Sequence, residues 1–419
     1  MGFQQGLSGL NAAAQNLNVI GNNVANASTV GFKQSQAQFA DVYASTLGGS
    51  GGLAAGIGTK ISTVAQQFGQ GNISVTDNPL DIAISGQGFY QLDNNGAIAY
   101  SRNGQFQLDK NGFIVNAQGH KLTGFAANPL TGAISLGSAV PLQISTQSLT
   151  PLPSSTSSVG VNLDSRMLVP TTSVFSPIDS TSYNSSTALT LYDSLGNSHI
   201  ATTYFVKNAT VNTWDVHMTV DGLGLDGTPA TATNTLLGTS PTLTFNTTGA
   251  LITPATGIVS VPGIVYATGS TTPQPLTFNF LSSTQFGAAF AVNQLTQNGY
   301  TSGQLSGFNT SADGTIVGRY TNGQSKALGQ VLLANFANPQ GLQPVGNNEW
   351  SASASSGPAL IGTPGTSSLG VVQSSAVEDS NVDLTAELVN MIMAQRVYQA
   401  NAQTIKTEDA MMQTITNLR

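Results

Sequence analysis

The chain has 419 residues, a formal net charge of −7 and no cysteine. Only 7% of its residues are charged, against about a quarter in ordinary globular proteins. This excludes the basic patches of a nucleic-acid binder, a disulfide scaffold and a thiolate metal site. No run approaches the ~18 apolar residues of a membrane-spanning helix.

Residues 1–30 carry a helical pattern without a single charged side chain, and the first charge is Lys33. Phe3, Leu7, Leu10, Ala14, Leu17, Gly21 and Val24 recur in steps of four and three, a heptad-like seam. Neutral amides, among them Asn11, Gln15, Asn16, Asn18, Asn22 and Asn23, fill other positions. Burying the larger apolar side chains contributes at most on the order of 10 kcal/mol. Ordering the backbone costs roughly 1–2 kcal/mol per residue. The helix therefore needs a partner, and the helix at the far end of the chain is the nearest candidate. A basic n-region and a compact apolar h-region are missing from the first 30 residues, so no cleaved signal peptide is expected.

The next stretch, 47–59, is rich in turn residues and reads either as a connecting arm or as a plain loop. Within it, Gly48-Gly49-Ser50-Gly51-Gly52 formally matches a nucleophile elbow. That elbow requires a buried strand before it and a helix after it, and neither is present, so a loop is expected.

Residues 82–122 read as a compact antiparallel sheet or barrel. Short runs at Ile82–Ile84, Phe89–Leu92, Ile98–Tyr100, Phe106–Leu108 and Phe113–Val115 are separated by Asn95-Gly96, Asn103-Gly104, Asn111-Gly112 and Gln118-Gly119, dipeptides suited to tight hairpins. A Ser-, Thr- and Pro-rich stretch over 145–160 marks a domain boundary. A second β region follows to about 297. There Thr187–Tyr192 and His199–Val206 flank a turn at Leu195-Gly196-Asn197, Trp214, Val216, Met218 and Val220 alternate on one face, and many threonines suit solvent-facing strand positions. After Gly299 the earlier style returns, with turns at Asp313-Gly314 and Asn322-Gly323 and a strand over Gln330–Phe336.

The last helix spans 380–419. Leu384, Leu388, Met391, Gln395, Tyr398, Ala402 and Ile405 repeat the seam, Met412 and Ile415 extend it, and Ser380 with Asp383 resembles a capping box. The organisation is nested: helix, β domain, inserted β domain, β domain resumed, helix. Catalytic and metal sites are not expected. His120, His199 and His217 lie in no ligand pattern; His199 and His217 read as a solvated cross-strand pair. Asp77 and Asp81 read as turn and edge residues, Asp221 and Asp226 lack calcium-loop spacing, and no phosphate-binding fingerprint is present.

Two motifs carry a resemblance. Asn16-Leu17-Asn18-Val19-Ile20-Gly21-Asn22-Asn23-Val24-Ala25-Asn26 with Thr29-Val30-Gly31-Phe32-Lys33 resembles the N-terminal signature of bacterial flagellar rod and hook proteins. Ser380-Asn381-Val382-Asp383-Leu384 through Ala402-Gln403-Thr404-Ile405-Lys406 resembles their C-terminal signature. The hook members are the most similar, through total length, Ser85-Gly86-Gln87-Gly88-Phe89-Tyr90, the Gly329–Phe336 strand and Gly346-Asn347-Asn348-Glu349-Trp350. The resemblance covers about 1–145 and 298–419; the middle insert resembles nothing residue by residue.

The resemblance implies a multidomain α+β fold with paired terminal coiled-coil helices and two nested, mainly antiparallel β domains of barrel or sandwich type. It implies an inner helical domain (1–33 and 376–419), a connecting arm (34–70 and 360–375), a middle β domain (71–145 and 298–359) and an outer insert (146–297). Function is then structural: a homopolymer forming a curved hollow tube outside the cell, a flexible joint passing torque from rod to filament. Partners are other copies, the rod, the hook cap, the hook–filament junction proteins and the flagellar type III export apparatus, with no cofactor, no nucleic acid and no membrane insertion. The residues expected to carry self-assembly are Phe3, Leu7, Leu10, Leu17, Val24, Leu384, Leu388, Met391, Tyr398 and Ile405, and the motif residues are Asn22, Asn23, Asn26, Gly31, Phe32 and Lys33. A distal rod subunit or hook-associated axial protein, and a secreted β-rich adhesin, are the alternatives.

Overall fold

The computed structural model describes residues 2–42, 56, 58–129, 131–238 and 242–417. The Gly48–Gly52 motif, and all of 47–59 except Gly56, Gly58 and Thr59, lie outside the described residues. The fold is mostly β, with one long helix at each end. The chain forms two compact units: Met1–Thr146 with Ser306–Arg319 and Ser325–Arg419, and Gln147–Leu305 with Tyr320–Gln324.

The first unit holds both helices, α1 (Gly2–Ala25) and α2 (Leu384–Asn417). Asp383 caps α2 by accepting from the amides of Thr385 and Ala386 at 2.9 and 3.1 Å. The capping box read at Ser380 and Asp383 is therefore corrected. The helix starts after Asp383, and Ser380 Oγ accepts from the Val382 amide in the extended lead-in. After α1 the chain forms an antiparallel ribbon, Ser35–Val42 with Gly58–Gln66. Its main sheet runs Ser325–Val331, Lys121–Ala126, Phe89–Asn94, Ala97–Ser101, Glu349–Ser351 in order. The C-terminal lead-in adds two short pairings, Val371–Ser374 with Ile82–Ser85 and Ala376–Glu378 with Ile73–Val75.

The turn chemistry is mostly as the dipeptides dictate. Asn95 (φ 51°) and Gly96 (φ 95°) both adopt the left-handed conformation and close the hairpin between Phe89–Asn94 and Ala97–Ser101. Asn103-Gly104 is the exception. Gly104 has no positive φ; a Cβ there would lie 1.7 Å from the Ile82 carbonyl oxygen. Its glycine serves close backbone approach rather than a hairpin. Phe68, Phe89, Phe336 and Trp350 meet edge to face at 5.4–5.9 Å, and the Trp350 indole N–H donates to Gln66 Oε1 at 2.5 Å. Such pairs add about 0.5–1.5 kcal/mol beyond burial.

The second unit contains two five-stranded sheets. One orders Ser185–Tyr192, Ser198–Lys207, Thr213–Val220, Thr242–Phe245 and Leu251–Thr253, all antiparallel. The other is mixed: Thr156–Asp164 pairs in parallel with Gln274–Asn279 and Thr284–Phe286 and antiparallel with Ala291–Gln297. Val159, Val161, Trp214, Val216, Phe205 and Phe278 belong to one buried cluster fed by both sheets. The alternation at Trp214, Val216, Met218 and Val220 is real, but the opposite face is covered too. Thr203, paired with Met218 on the core side, is buried, and so are Thr213 and Thr219 on the opposite face, so not all of the threonines here face solvent. Phe175 covers that face, stacked at 4.1 Å on His217 and set edge to face against Tyr204.

Candidate assembly site at the terminal helices

Packing of α1 against α2 is antiparallel: Gly6 faces Ile405, Gly9 faces Asn401, and Asn23 reaches Glu387. The α1 residues turned inward are Gly6, Ala12, Ala13, Ile20 and Asn23. A Cβ on Gly9 would stand 2.8 Å from the Asn401 side chain, and one on Gly6 3.0 Å from Ile405. Small residues thus let the two backbones approach closely. On α2 the buried positions are Glu387 and Ala394.

This seam lies one residue away from the expected one. Phe3 and Leu7 are 50% and 44% exposed, and Leu384 and Leu388 are 47% and 45% exposed. Leu10, Leu17, Val24, Met391 and Ile405 are half-buried, and Tyr398 sits at the exposed limit. A Cβ on Gly21, an expected seam position, would meet nothing within 4 Å. Between these two helices Phe3, Leu7, Leu384 and Leu388 lie off the contact, whereas Ile405 faces Gly6. Size misled the pattern: the largest apolar side chains were assigned inward, whereas the same four-three spacing also runs through Gly6, Gly9, Ala13, Asn16, Ile20 and Asn23. A groove of about 740 Å³ lies between α1, α2 and the ribbon, lined in part by Ala12, Asn16, Ile20, Phe39, Met393 and Val397.

Below the helices the motif residues tie the two ends together. Asn23 accepts from the Ser35 amide at 2.9 Å and donates to the Ser35 carbonyl and to Glu387 Oε2. Asn26 bonds back to Asn22 within the helix end. Phe32 is half-buried. Gly31 takes φ +71°, and a Cβ there would strike the Asn103 backbone nitrogen at 2.6 Å, so glycine is required on both counts. Lys33 is buried, with Nζ 2.7 Å from Glu378 Oε1. Burial, then the neighbouring Arg102 cation, lowers its pKa, and Glu378 opposes them. Sequence reasoning missed Glu378 and Arg102, because nothing local marks partners 345 residues apart, as Lys33 and Glu378 are, or 276 apart, as Arg102 and Glu378 are.

The histidines are engaged structurally. His120 meets Glu349 at 2.9 Å, His199 lies between Asp221 (2.6 Å) and Asp193 (3.3 Å), and His217 bonds Thr235 at 3.1 Å. His199 and His217 are both buried and do not face each other: His217 stands opposite Tyr204 and His199 opposite Leu191. The solvated-pair reading is corrected accordingly. Among the described residues no group of three or more His, Asp or Glu is arranged to hold a metal ion, and no helix is long and apolar enough to cross a membrane.

Comparison with known proteins settles the family. Residues 3–33 match the family described as Flagella basal body rod protein, and residues 83–164 match Flagellar hook protein FlgE/F/G D1 domain. Residues 162–300 match Flagellar basal body protein FlaE D2 domain, and 373–418 match Flagellar basal body rod FlgEFG protein C-terminal. The flagellar hook protein FlgE of Escherichia coli (strain K12) is 44% identical over 423 residues, covering 100% of both chains. The chain belongs to the flagellar hook protein family. The hook protein FlgE of Salmonella typhimurium is likewise 44% identical over 422 residues, covering 100% of both chains. That of Brucella suis is 32% identical, covering 100% of this chain and 98% of the relative. In fold, the chain is similar to the crystal structure of Helicobacter pylori flagellar hook protein FlgE2, with a TM-score of 0.52 at 13% identity over 73% of this chain and 100% of that one. The chain is accordingly a structural subunit of the flagellar hook.

Proposed function

We propose that this subunit polymerises through α1 and α2 into a curved hollow helical tube that acts as a flexible universal joint between rod and filament. One observation carries the reading. The two helices meet through small residues together with Ile20 and Ile405, and leave Phe3, Leu7, Leu384 and Leu388 exposed. Exposed apolar side chains repeated along a charge-free α1 and along α2 suit burial against further copies. Phe3, Leu7, Leu10, Leu17, Val24, Leu384, Leu388, Met391, Tyr398 and Ile405 make these contacts, as coiled-coil-like seams between subunits. In this reading 1–33 with 376–419 form the inner layer, 71–145 with 298–359 the middle β layer, and 146–297 the outer one, of sandwich type; 34–70 with 360–375 form the arm between.

The subunit leaves the cell unfolded through the flagellar type III apparatus, adds under the hook cap, and meets the rod below and the junction proteins above. It performs no catalysis and holds no cofactor. Electron microscopy tests this. Purified chain in polymerising sulfate is expected to form curved tubes, whereas Leu7→Ser/Leu388→Ser is expected to remain monomeric with its helix pair intact by circular dichroism. Tubes from the double variant, or monomers from both proteins, would overturn the reading.

A further inference from the structure

Three charged side chains from three separate stretches meet inside the first unit. The Lys33 and Glu378 side chains are wholly buried, and that of Arg102 is 3% exposed. Lys33 Nζ lies 2.7 Å from Glu378 Oε1 and donates to the Gly69 carbonyl at 2.8 Å. Arg102 Nε lies 2.9 Å from Glu378 Oε2, out of hydrogen-bond alignment. Its guanidinium nitrogens donate to the Gly86 and Gly88 carbonyls and, at 3.3 Å, to Glu378 Oε1. Glu378 Oε1 also accepts from the Gly71 amide at 2.9 Å. One carboxylate therefore serves two cations.

The three groups come from three stretches of chain far apart in sequence. Arg102 is fixed in the sheet body by the carbonyls of Gly86 and Gly88. Glu378 lies on the C-terminal leg just before α2, and Lys33 on the N-terminal leg just after α1. Arg102 and Glu378 without Lys33 make a neutral buried pair. Arg102 and Lys33 without Glu378 make two buried cations with no anion. An uncompensated buried charge costs several kcal/mol, and a like charge beside it adds to that.

Backbone contacts have the same asymmetry. The C-terminal leg has its own ladders, Val371–Ser374 on Ile82–Ser85 and Ala376–Glu378 on Ile73–Val75. The N-terminal leg bonds to the C-terminal one, the Gly31 amide donating to the Glu378 carbonyl at 2.8 Å and the Gln34 amide to Asn381 Oδ1 at 2.8 Å; elsewhere it accepts from Asn348 Nδ2 at the Val30 carbonyl (2.9 Å) and from the Gln67 amide at the Gln34 carbonyl (2.8 Å).

We propose that the Lys33–Glu378–Arg102 cluster is an ordering latch: the C-terminal leg docks on the β body first, and the N-terminal leg docks only where Glu378 is already in place. The latch acts within a single chain and does not rest on the assembly reading. Hydrogen exchange of the full chain reads it, because local opening exposes amides leg by leg. Lys33→Met is expected to speed exchange at 26–34 and to leave 371–378 within about twofold of the parent. Glu378→Gln is expected to speed exchange at 26–34 about tenfold or more. Adding Lys33→Met to Glu378→Gln removes the second cation and should restore part of the lost protection at 26–34, a rescue that independent packing defects do not give. Comparable loosening of both legs in Lys33→Met overturns the latch, as does a double variant in which the two losses simply add. If Glu378→Gln does not fold, Lys33→Met alone still decides between one-sided and two-sided loosening.

Discussion

His217 shows how a residue's surroundings set its chemistry. It is packed against Phe175 and bonded to Thr235, and burial lowers its pKa from 6.5 to about 4. A depressed folded-state value means that the unfolded chain binds the proton first. The contribution to stability is full above pH 6.5 and is lost as pH falls toward about 4, amounting to roughly 3 kcal/mol at most. The second unit should therefore unfold more easily in this acid window, and His217→Gln should flatten the dependence. Thermal scans between pH 4 and 7 check it; parallel curves for parent and variant would refute it. Local turn residues were legible for a related reason: the left-handed φ angles at Asn95, Gly96, Gly314 and Gly323 follow from those residues alone. The burial of Thr203 and Thr219 was not legible, because a strand's own residues do not show what covers each face: Thr203 pairs with Met218 on the core side, and Thr219 lies on the face of His217, where Phe175 packs.

Among the elements, the paired helices make two opposite predictions for glycine. At Gly9 any side chain meets Asn401, so Gly9→Leu should part the helices and cost about 1–3 kcal/mol through overpacking. Gly21 faces open space, so Gly21→Ala should stabilise α1 in the single chain by about 0.5–1 kcal/mol. Circular dichroism melting of both variants decides, and equal shifts would show that the helices do not pack as described. Asp383→Ala removes two amide caps from α2 and should cost about 0.5–2 kcal/mol of helix stability, read as fraying of the first turn by hydrogen exchange. The existence and period of both helices were plain in the sequence. Which face turns inward was not, since seven-residue spacing fits two adjacent stripes of α1 and the choice lies with the partner helix.

At the scale of the whole molecule, sparse charge sets the response to solution conditions. With 7% of residues charged, assembly should change little between low and moderate sodium chloride, because few ion pairs exist to be screened. Sulfate, which strengthens apolar burial, should promote it. Light scattering against each salt checks this, and steep inhibition by sodium chloride would point to ionic contacts between subunits. The first break between the two units, at Thr146 and Gln147, falls in the Ser-, Thr- and Pro-rich stretch at 145–160. The joining of Lys33, Arg102 and Glu378 was not legible, because a charge buried in a charge-poor chain carries no neighbouring signal to name its partner.

The two tryptophans fall one to each compact unit: Trp350 in the aromatic cluster of the first, Trp214 in the core of the second. The chain thus carries two indole fluorophores that, excited apart from its ten tyrosines, report separately. Replacing either with phenylalanine leaves an emission signal belonging to a single unit, and the order in which the two units melt becomes a matter of colour shift alone.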